Sequence, residues 1–325
     1  MTNSKTKTNS TKSQNDQNSF DKLIAKDTEI EIKLLWKDVK PVYQKILKKQ
    51  ASKLKLKGFR KGKVPLAVAE KEIGRDSIIN LVLQELIPSV YSNEIKKGKY
   101  LPLTNPEFQP ISLNKDNDWI LKAHFAQEPE IDLKNYKKIT KSAKKKAEDQ
   151  IKKTEKEAKK IKAKKTKTKK TTNNKDRNQP SEMTQEQKND SIVQGVIAHL
   201  VEEIQPTVPR LLLKESAQKE MESFIKKLGS LKIDLETFLK SRQMTQEQLS
   251  SQIMMSTLSQ LQIEFTLRAI GKSENIEIDD VQVQNAIAKT EDEKIKQQMK
   301  KDVSYQEYLR QMLFKQKVIK FLLDL

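Results

Sequence analysis

Gly58-Phe59-Arg60-Lys61-Gly62-Lys63-Val64-Pro65 is the stretch on which the reading of this chain turns. Two glycines frame Phe59, Arg60 and Lys61, Lys63 adds a third cation, and a proline closes the run. Glycine permits tight backbone bends. Val64-Pro65 reads as a loop exit followed by a helix start, with Pro65 at the first helical position. The expectation is a stiff, protruding, positively charged tip carrying one hydrophobic finger. Such a tip has little use inside a core and suits an anionic, irregular surface such as a ribonucleoprotein.

Around this run, residues 20–138 read as one compact α+β domain. Thr28 to Trp36 alternates, with Ile30, Ile32, Leu34 and Trp36 on one face, which predicts a strand. Val39 to Leu56 switches to helical spacing through Val42, Tyr43, Ile46, Leu47 and Leu54. A short helix is expected from Pro65 to Ile73, ended by Gly74. A longer one is expected from Asp76 to Lys97, kinked or split at Pro88. Phe108 to Leu113 and Asp118 to Ala126 read as closing strands. His124 points away from the apolar face of the second and reads as a cross-strand or solvated residue.

Residues 1–19 are rich in Ser, Thr, Asn and Lys and lack an apolar run, so they read as a disordered leader rather than a secretory signal. Residues 139–190 read as a Lys-rich linker. Between Lys141 and Pro180 there are 17 Lys/Arg against 5 Asp/Glu and no aromatic residue. This composition predicts a solvated spacer, or a lone charged helix over Ala147 to Lys165. An RNA-binding tether is the other reading of the same charge.

Residues 191–325 read as an all-α domain. Ile192, Val193, Val196, Ile197, Leu200, Val201 and Ile204 form one amphipathic face, ended by Pro206 and Pro209. A second helix is expected from Leu211 to Leu228, stopped by Gly229, and a third from Asp234 to Lys240. Thr245 with Gln248 predicts a capping box for a long helix ending at Gly271. Ser304 with Glu307 predicts another for the last helix.

The chain of 325 residues carries a net charge of +20, which favours nucleic acid or an anionic surface as partner. There is no cysteine and there are two histidines, so a thiolate or multi-histidine metal site is not expected. No Gly-x-Gly or Walker pattern offers a phosphate cradle. No cofactor, metal or catalytic residue is expected, and no segment is apolar enough to span a bilayer. Met254, Met255, Leu258, Leu261 and Phe265 form an apolar stripe on the long helix, a candidate adaptable binding surface. Ordinary core packing is the alternative reading of that stripe.

The run at 58–65, with Leu54-Lys55-Leu56-Lys57 before it, resembles the ribosome-docking signature of the trigger factor family, bacterial chaperones of the nascent-chain exit. Phe125-Ala126-Gln127-Glu128-Pro129-Glu130-Ile131-Asp132-Leu133 resembles that family's strand-to-linker passage. Ile204 to Pro209, the Asp-Leu-x-x-Phe-Leu run from Asp234, and Ala269-Ile270-Gly271-x-x-Glu274-Asn275-Ile276 resemble its C-terminal chaperone domain. The resemblance implies an ATP-independent, cytoplasmic chaperone that docks through Gly58, Phe59, Arg60, Lys61, Gly62 and Lys63. Its implied partners are large-subunit rRNA, a protein at the tunnel exit, nascent polypeptides and, off the ribosome, a second copy of itself. The family also carries an isomerase domain of the FKBP type, for which residues 139–190 offer no aromatic-lined pocket. That domain is expected to be absent. An active prolyl isomerase, or a basic RNA-binding protein using the Lys-rich segment, are the rival readings.

Overall fold

The computed structural model describes residues 20–60, 62–166, 184–290 and 292–325. The proposed leader, Lys61 and much of the proposed linker's second half lie outside the described residues. The chain divides into a sheet unit, residues 24–128 with 209–222, and a helical unit that includes residues 129–208 and 223–325.

In the sheet unit, β1 (Thr28–Leu34), β2 (Glu107–Ser112) and β3 (Trp119–Phe125) form an antiparallel sheet in the order β1-β3-β2. Ile32 lies opposite Leu121 and Leu34 opposite Trp119, so one face of each strand is apolar in step. Helices α1 (Trp36–Ala51) and α3 (Arg75–Gly98) cover that face with Val39, Tyr43, Ile46 and Leu47 from one and Ile78, Ile79 and Val82 from the other. His124 sits across from Glu29 and Glu107 on the other face, as a cross-strand residue.

Two details differ from the sequence expectation. Trp36 begins α1 instead of ending β1, because the Asp118 carboxylate accepts its N–H at 2.8 Å and so satisfies one of the free donors of the first turn. This bond, together with Lys33, holds the Asp118 carboxyl below its ordinary pKa. Pro88 does not split α3. It lies on the exposed side of the helix, as does Gln84, whose carbonyl a proline at this position cannot partner.

The helical unit is built from α4 (Tyr136–Thr166), α5 (Gln185–Ile204), the end of α6 (Arg210–Ser230), α7 (Leu235–Arg242), α8 (Gln246–Ser273), α9 (Asp280–Ala288), α10 (Glu293–Lys301) and α11 (Val303–Asp324). A two-residue strand at Val208–Pro209 interrupts an otherwise helical run. The first turns of α6 belong to the sheet unit, where Asp27 accepts the Leu211 N–H at 2.9 Å and Lys214 pairs with Glu107 at 2.7 Å. The Thr245–Gln248 capping box forms as expected. The one expected at Ser304 does not: Asp302 is the cap of α11 and accepts the Tyr305 N–H. Gly229 lies inside α6 and does not stop it.

The largest correction concerns residues 139–190. They do not form a spacer throughout. Tyr136, Thr140, Ala143 and Ala147 recur on one face of α4 and are buried, with Tyr136 and Ala143 in a core shared with Val196, Leu200, Ile270, Val318 and Leu322. The segment has few large aliphatic residues, of which Ile139 packs against this core, and small residues supply the rest of the contact. A Cβ placed on Gly195 of α5 would stand 3.2 Å from the Ala147 Cβ, which shows how closely the two backbones approach. Helix α5 also starts earlier than Ser191, behind a capping box of Thr184 and Gln187.

The Ala-Ile-Gly-x-x-Glu-Asn-Ile run is a helix stop that also ties three helices together. Asn275 takes a left-handed φ of 51°, and the Ile276 N–H returns to the Gly271 carbonyl at 2.8 Å. The Asn275 N–H bonds to Lys272, which completes a Schellman end. A Cβ on Gly271 would fall 2.2 Å from the Phe314 ring, so only glycine lets α11 lie this close. Glu274 accepts from the Tyr136 hydroxyl and pairs with Lys137 at 2.7 Å. Lys137 first, then Tyr136, lower the Glu274 pKa. A carboxylate depressed in the fold adds stability above its unfolded pKa, and that stability is lost as pH falls through the folded value. Glu274→Gln is therefore expected to lower the urea midpoint of the helical unit at pH 7 and to flatten its decline below about pH 4.5. Circular dichroism at several pH values checks this, and an unchanged acid dependence contradicts it.

Candidate functional site

Between α1 and α2 (Leu66–Ile73) the chain leaves one small core and returns to it. That core is Ala51, Val64 and Ala69, with Leu54, Leu56 and Ile73 packed around it. In Leu54-Lys55-Leu56-Lys57 the leucines face inward and the lysines are exposed. Two four-residue turns follow. The Phe59 N–H donates to the Leu56 carbonyl at 3.1 Å, and the Lys63 N–H donates to the Arg60 carbonyl at 2.9 Å. Each turn has glycine at its third position with positive φ, 91° at Gly58 and 79° at Gly62, where type II turns require it. A Cβ on Gly58 would meet nothing within 4 Å, so backbone conformation and not space demands glycine there.

The far side of the loop is fixed by α2. Pro65 is the cap of this helix and not its first residue, and its carbonyl accepts from Val68 and Ala69. The Tyr43 hydroxyl of α1 donates to Glu70 Oε1 of α2 at 2.7 Å, with Lys115 at 3.5 Å from the same oxygen. Burial, then the Glu70 bond, push the Tyr43 pKa up, so the phenol stays a donor.

With its base fixed in this way, the loop holds Phe59 at 41% exposure. Gly58, Arg60, Gly62 and Lys63 are exposed too, and Lys61 lies outside the described residues. Lys53, Lys55 and Lys57 extend the basic edge; the sequence reading quoted the last two without assigning them to the site. Among the described residues, none of Lys53, Lys55, Lys57, Arg60 and Lys63 has a carboxylate partner. Their charge is uncompensated, and one aromatic ring stands beside it. This arrangement can meet phosphates and acidic side chains with cations while burying one ring in an apolar notch.

The stripe on α8 does not stay together as a surface. Leu258 and Phe265 are 1% and 2% exposed and belong to the interior. Met254 and Leu261 are half-buried, and Met255 alone of the five is exposed, at 49%. The reason is helical phase: 254, 258, 261 and 265 share the inward face, and 255 is one step off it. Other exposed apolar residues of the helical unit include Ile225, Leu231 and Ile233 around the end of α6, and Val281, Ile295, Val303, Tyr308 and Met312 on α9 to α11. Periodicity could not have found them, because it marks a helix face without saying whether a neighbour covers it.

A family model described as "Bacterial trigger factor protein (TF)" matches residues 17–173, and its C-terminal counterpart matches residues 170–324. The chain belongs to the trigger factor family. The two matches overlap, so no stretch remains between them for an isomerase domain. Among curated relatives, the trigger factor of Ligilactobacillus salivarius (strain UCC118) is 36% identical over 86 residues, 26% of this chain and 20% of the relative. That of Corynebacterium jeikeium (strain K411) is 29% identical over 124 residues, 38% of this chain and 24% of the relative. These alignments thus span a quarter or less of each relative's length. A solved structure described as "Promiscuous Substrate Recognition in Folding and Assembly Activities of the Trigger Factor Chaperone" aligns with a TM-score of 0.53 at 12% identity, over 91% of this chain and 96% of the other. At that identity the likeness shows a shared trigger factor fold. Among the described residues, no helix is long and apolar enough to cross a membrane.

The loop geometry predicts a local effect of its glycines. Alanine at Gly58 or Gly62 is expected to weaken its turn by about 1–2 kcal/mol, the cost of a left-handed L-residue. Amide exchange at Phe59 in the first variant, and at Lys63 in the second, should then quicken about five- to thirtyfold. Unchanged protection would show that the turns do not depend on glycine.

Proposed function

We propose that this protein is an ATP-independent chaperone of the cytoplasm that docks on the large ribosomal subunit through the 58–63 loop and holds emerging polypeptides. The observation that carries this reading is Phe59, kept in water at the tip of two glycine turns and flanked by cations without carboxylate partners, in a chain of the trigger factor family. A tip of this kind costs the free protein burial energy, since fully burying a phenylalanine is worth roughly 1.5–3 kcal/mol and a ring left 41% exposed forgoes a substantial share of it. Arg60, Lys61 and Lys63 would meet rRNA phosphates and acidic groups of a protein at the tunnel exit, and Phe59 would enter an apolar notch.

For substrate, the exposed apolar residues of the helical unit fit better than the α8 stripe. Leu231, Ile233, Met255, Val281 and Val303 are scattered, and scattered apolar side chains give weak, multivalent contacts. Weak contacts suit a client that has to leave in order to fold. Release would then need no nucleotide. A self-dimer off the ribosome would cover the same residues in the absence of clients.

The test is co-sedimentation with ribosomes at moderate salt, wild type against a Phe59/Arg60/Lys61 triple-alanine variant. Loss of at least about tenfold in affinity is expected, since an apolar anchor and a charge-assisted contact are each worth roughly 1–3 kcal/mol. Pelleting equal to wild type would end the docking reading.

A further inference from the structure

The outward face of α4 is left without a role by the docking loop and by the apolar residues above. Helix α4 buries Tyr136, Thr140, Ala143 and Ala147. At 100° per residue, the opposite face presents Lys138, Lys141, Lys145, Lys152, Lys153 and Lys156, all exposed. Only Glu148 and Asp149 interrupt them on that side. The lysines that do have partners sit elsewhere on the helix: Lys137 pairs with Glu274, and Lys144 donates to the Leu323 carbonyl. Further along the helix, Glu155 pairs with Lys188 of α5. Among the described residues, none of the six outward lysines has a carboxylate partner.

This charge is costly to the free fold, because like charges spaced three and four residues apart on a helix repel. Lys138, Lys141 and Lys145 have that spacing, as do Lys152 and Lys156. The helix that carries the face is held on its inner side against α5 by the Ala147–Gly195 approach. Lys138 to Lys156 spans about 27 Å at 1.5 Å per residue.

We infer that the outer face of α4 is a binding rail for the phosphate backbone of helical RNA, acting without base recognition. Charge complementarity selects the partner: six cations in a line match a polyanion, and bare lysine ammonium groups act on phosphates as point charges. A lipid surface fits less well. An interfacial helix needs an apolar face to insert, and the apolar face of α4 is already buried against α5. The rail is separate from the 58–63 loop and does not depend on it. If the docking reading holds, the rail supplies a second, salt-sensitive hold on rRNA.

The experiment measures binding of the full-length protein to an RNA duplex of about 16 base pairs, the span a double-stranded RNA module covers, by fluorescence anisotropy across a salt series. The decisive variant carries Lys138→Gln, Lys145→Gln, Lys152→Gln and Lys156→Gln. Glutamine is as good a helix former as lysine, so the circular dichroism spectrum should be unchanged. Wild type should bind with a steep salt dependence. The glutamine variant should lose at least about tenfold in affinity at low salt, and the log–log salt slope should shrink by about 3, near 0.7–0.9 per removed phosphate contact. The same four positions changed to arginine should retain wild-type binding. A Phe59→Ala variant, which keeps every cation, should bind the duplex like wild type, which separates failure of the rail from failure of the loop. The inference is overturned if wild type does not bind the duplex, or if the glutamine variant keeps its affinity and slope. It is equally overturned if anionic phosphatidylglycerol vesicles capture the wild type and the duplex does not.

Discussion

A loop can hold a hydrophobic ring in water only if both of its ends are fixed more firmly than the ring is drawn inward. Here that requirement is met by a very small core. Val64 closes on Ala51 and Ala69, and the two alanines let α1 and α2 come close enough to trap it. Leu54 and Leu56 bind the outgoing strand of the loop to the same cluster, and the Tyr43–Glu70 hydrogen bond secures the helix that receives it. Between those anchors, the two glycine turns leave Phe59 no short way back to the core. Exposure of the ring is therefore a product of the packing beneath it. The charge of the tip follows from the same alternation, which turns leucines in and lysines out.

The helical unit meets a related constraint with the same means. It carries much charge and little aromatic mass, so close backbone approach has to supply the packing that large side chains would otherwise give. Ala147 against Gly195 brings α4 onto α5, and Gly271 against Phe314 brings α11 onto α8. The Schellman end at Asn275 then delivers Glu274 to Tyr136 and Lys137. A unit consolidated at these few places can leave Leu231, Val281 and Val303 in water without losing its core. That combination of a tight centre and scattered apolar exposure is what a surface for transient polypeptide contact needs.

Much of this was legible in the residues. Strict alternation in Ile30, Ile32 and Leu34, and again in Trp119, Leu121 and Ala123, placed the strands, because burying one face of a sheet forces period two. The loop was legible because Gly-x-x-x-Gly around an aromatic and cations has few structural uses. What was not legible has physical reasons. The packing of α4 was hidden because small residues carry no hydrophobic signal of their own; their value appears only with the partner glycine on α5. The α8 stripe was misjudged because phase shows a common face and not its neighbour, so Leu258 and Phe265 proved to be interior. The start of α1 was misplaced by three residues because the deciding group, Asp118, lies 82 positions away.

The central claim is that Phe59 is exposed in order to be buried by a ribosome. It is tested most directly by replacing Phe59 with a photoreactive phenylalanine and irradiating the protein on translating ribosomes. A crosslink to rRNA or protein of the large subunit beside the emerging chain is the predicted result. Crosslinks confined to the protein itself, or absent from the ribosome altogether, would contradict the account.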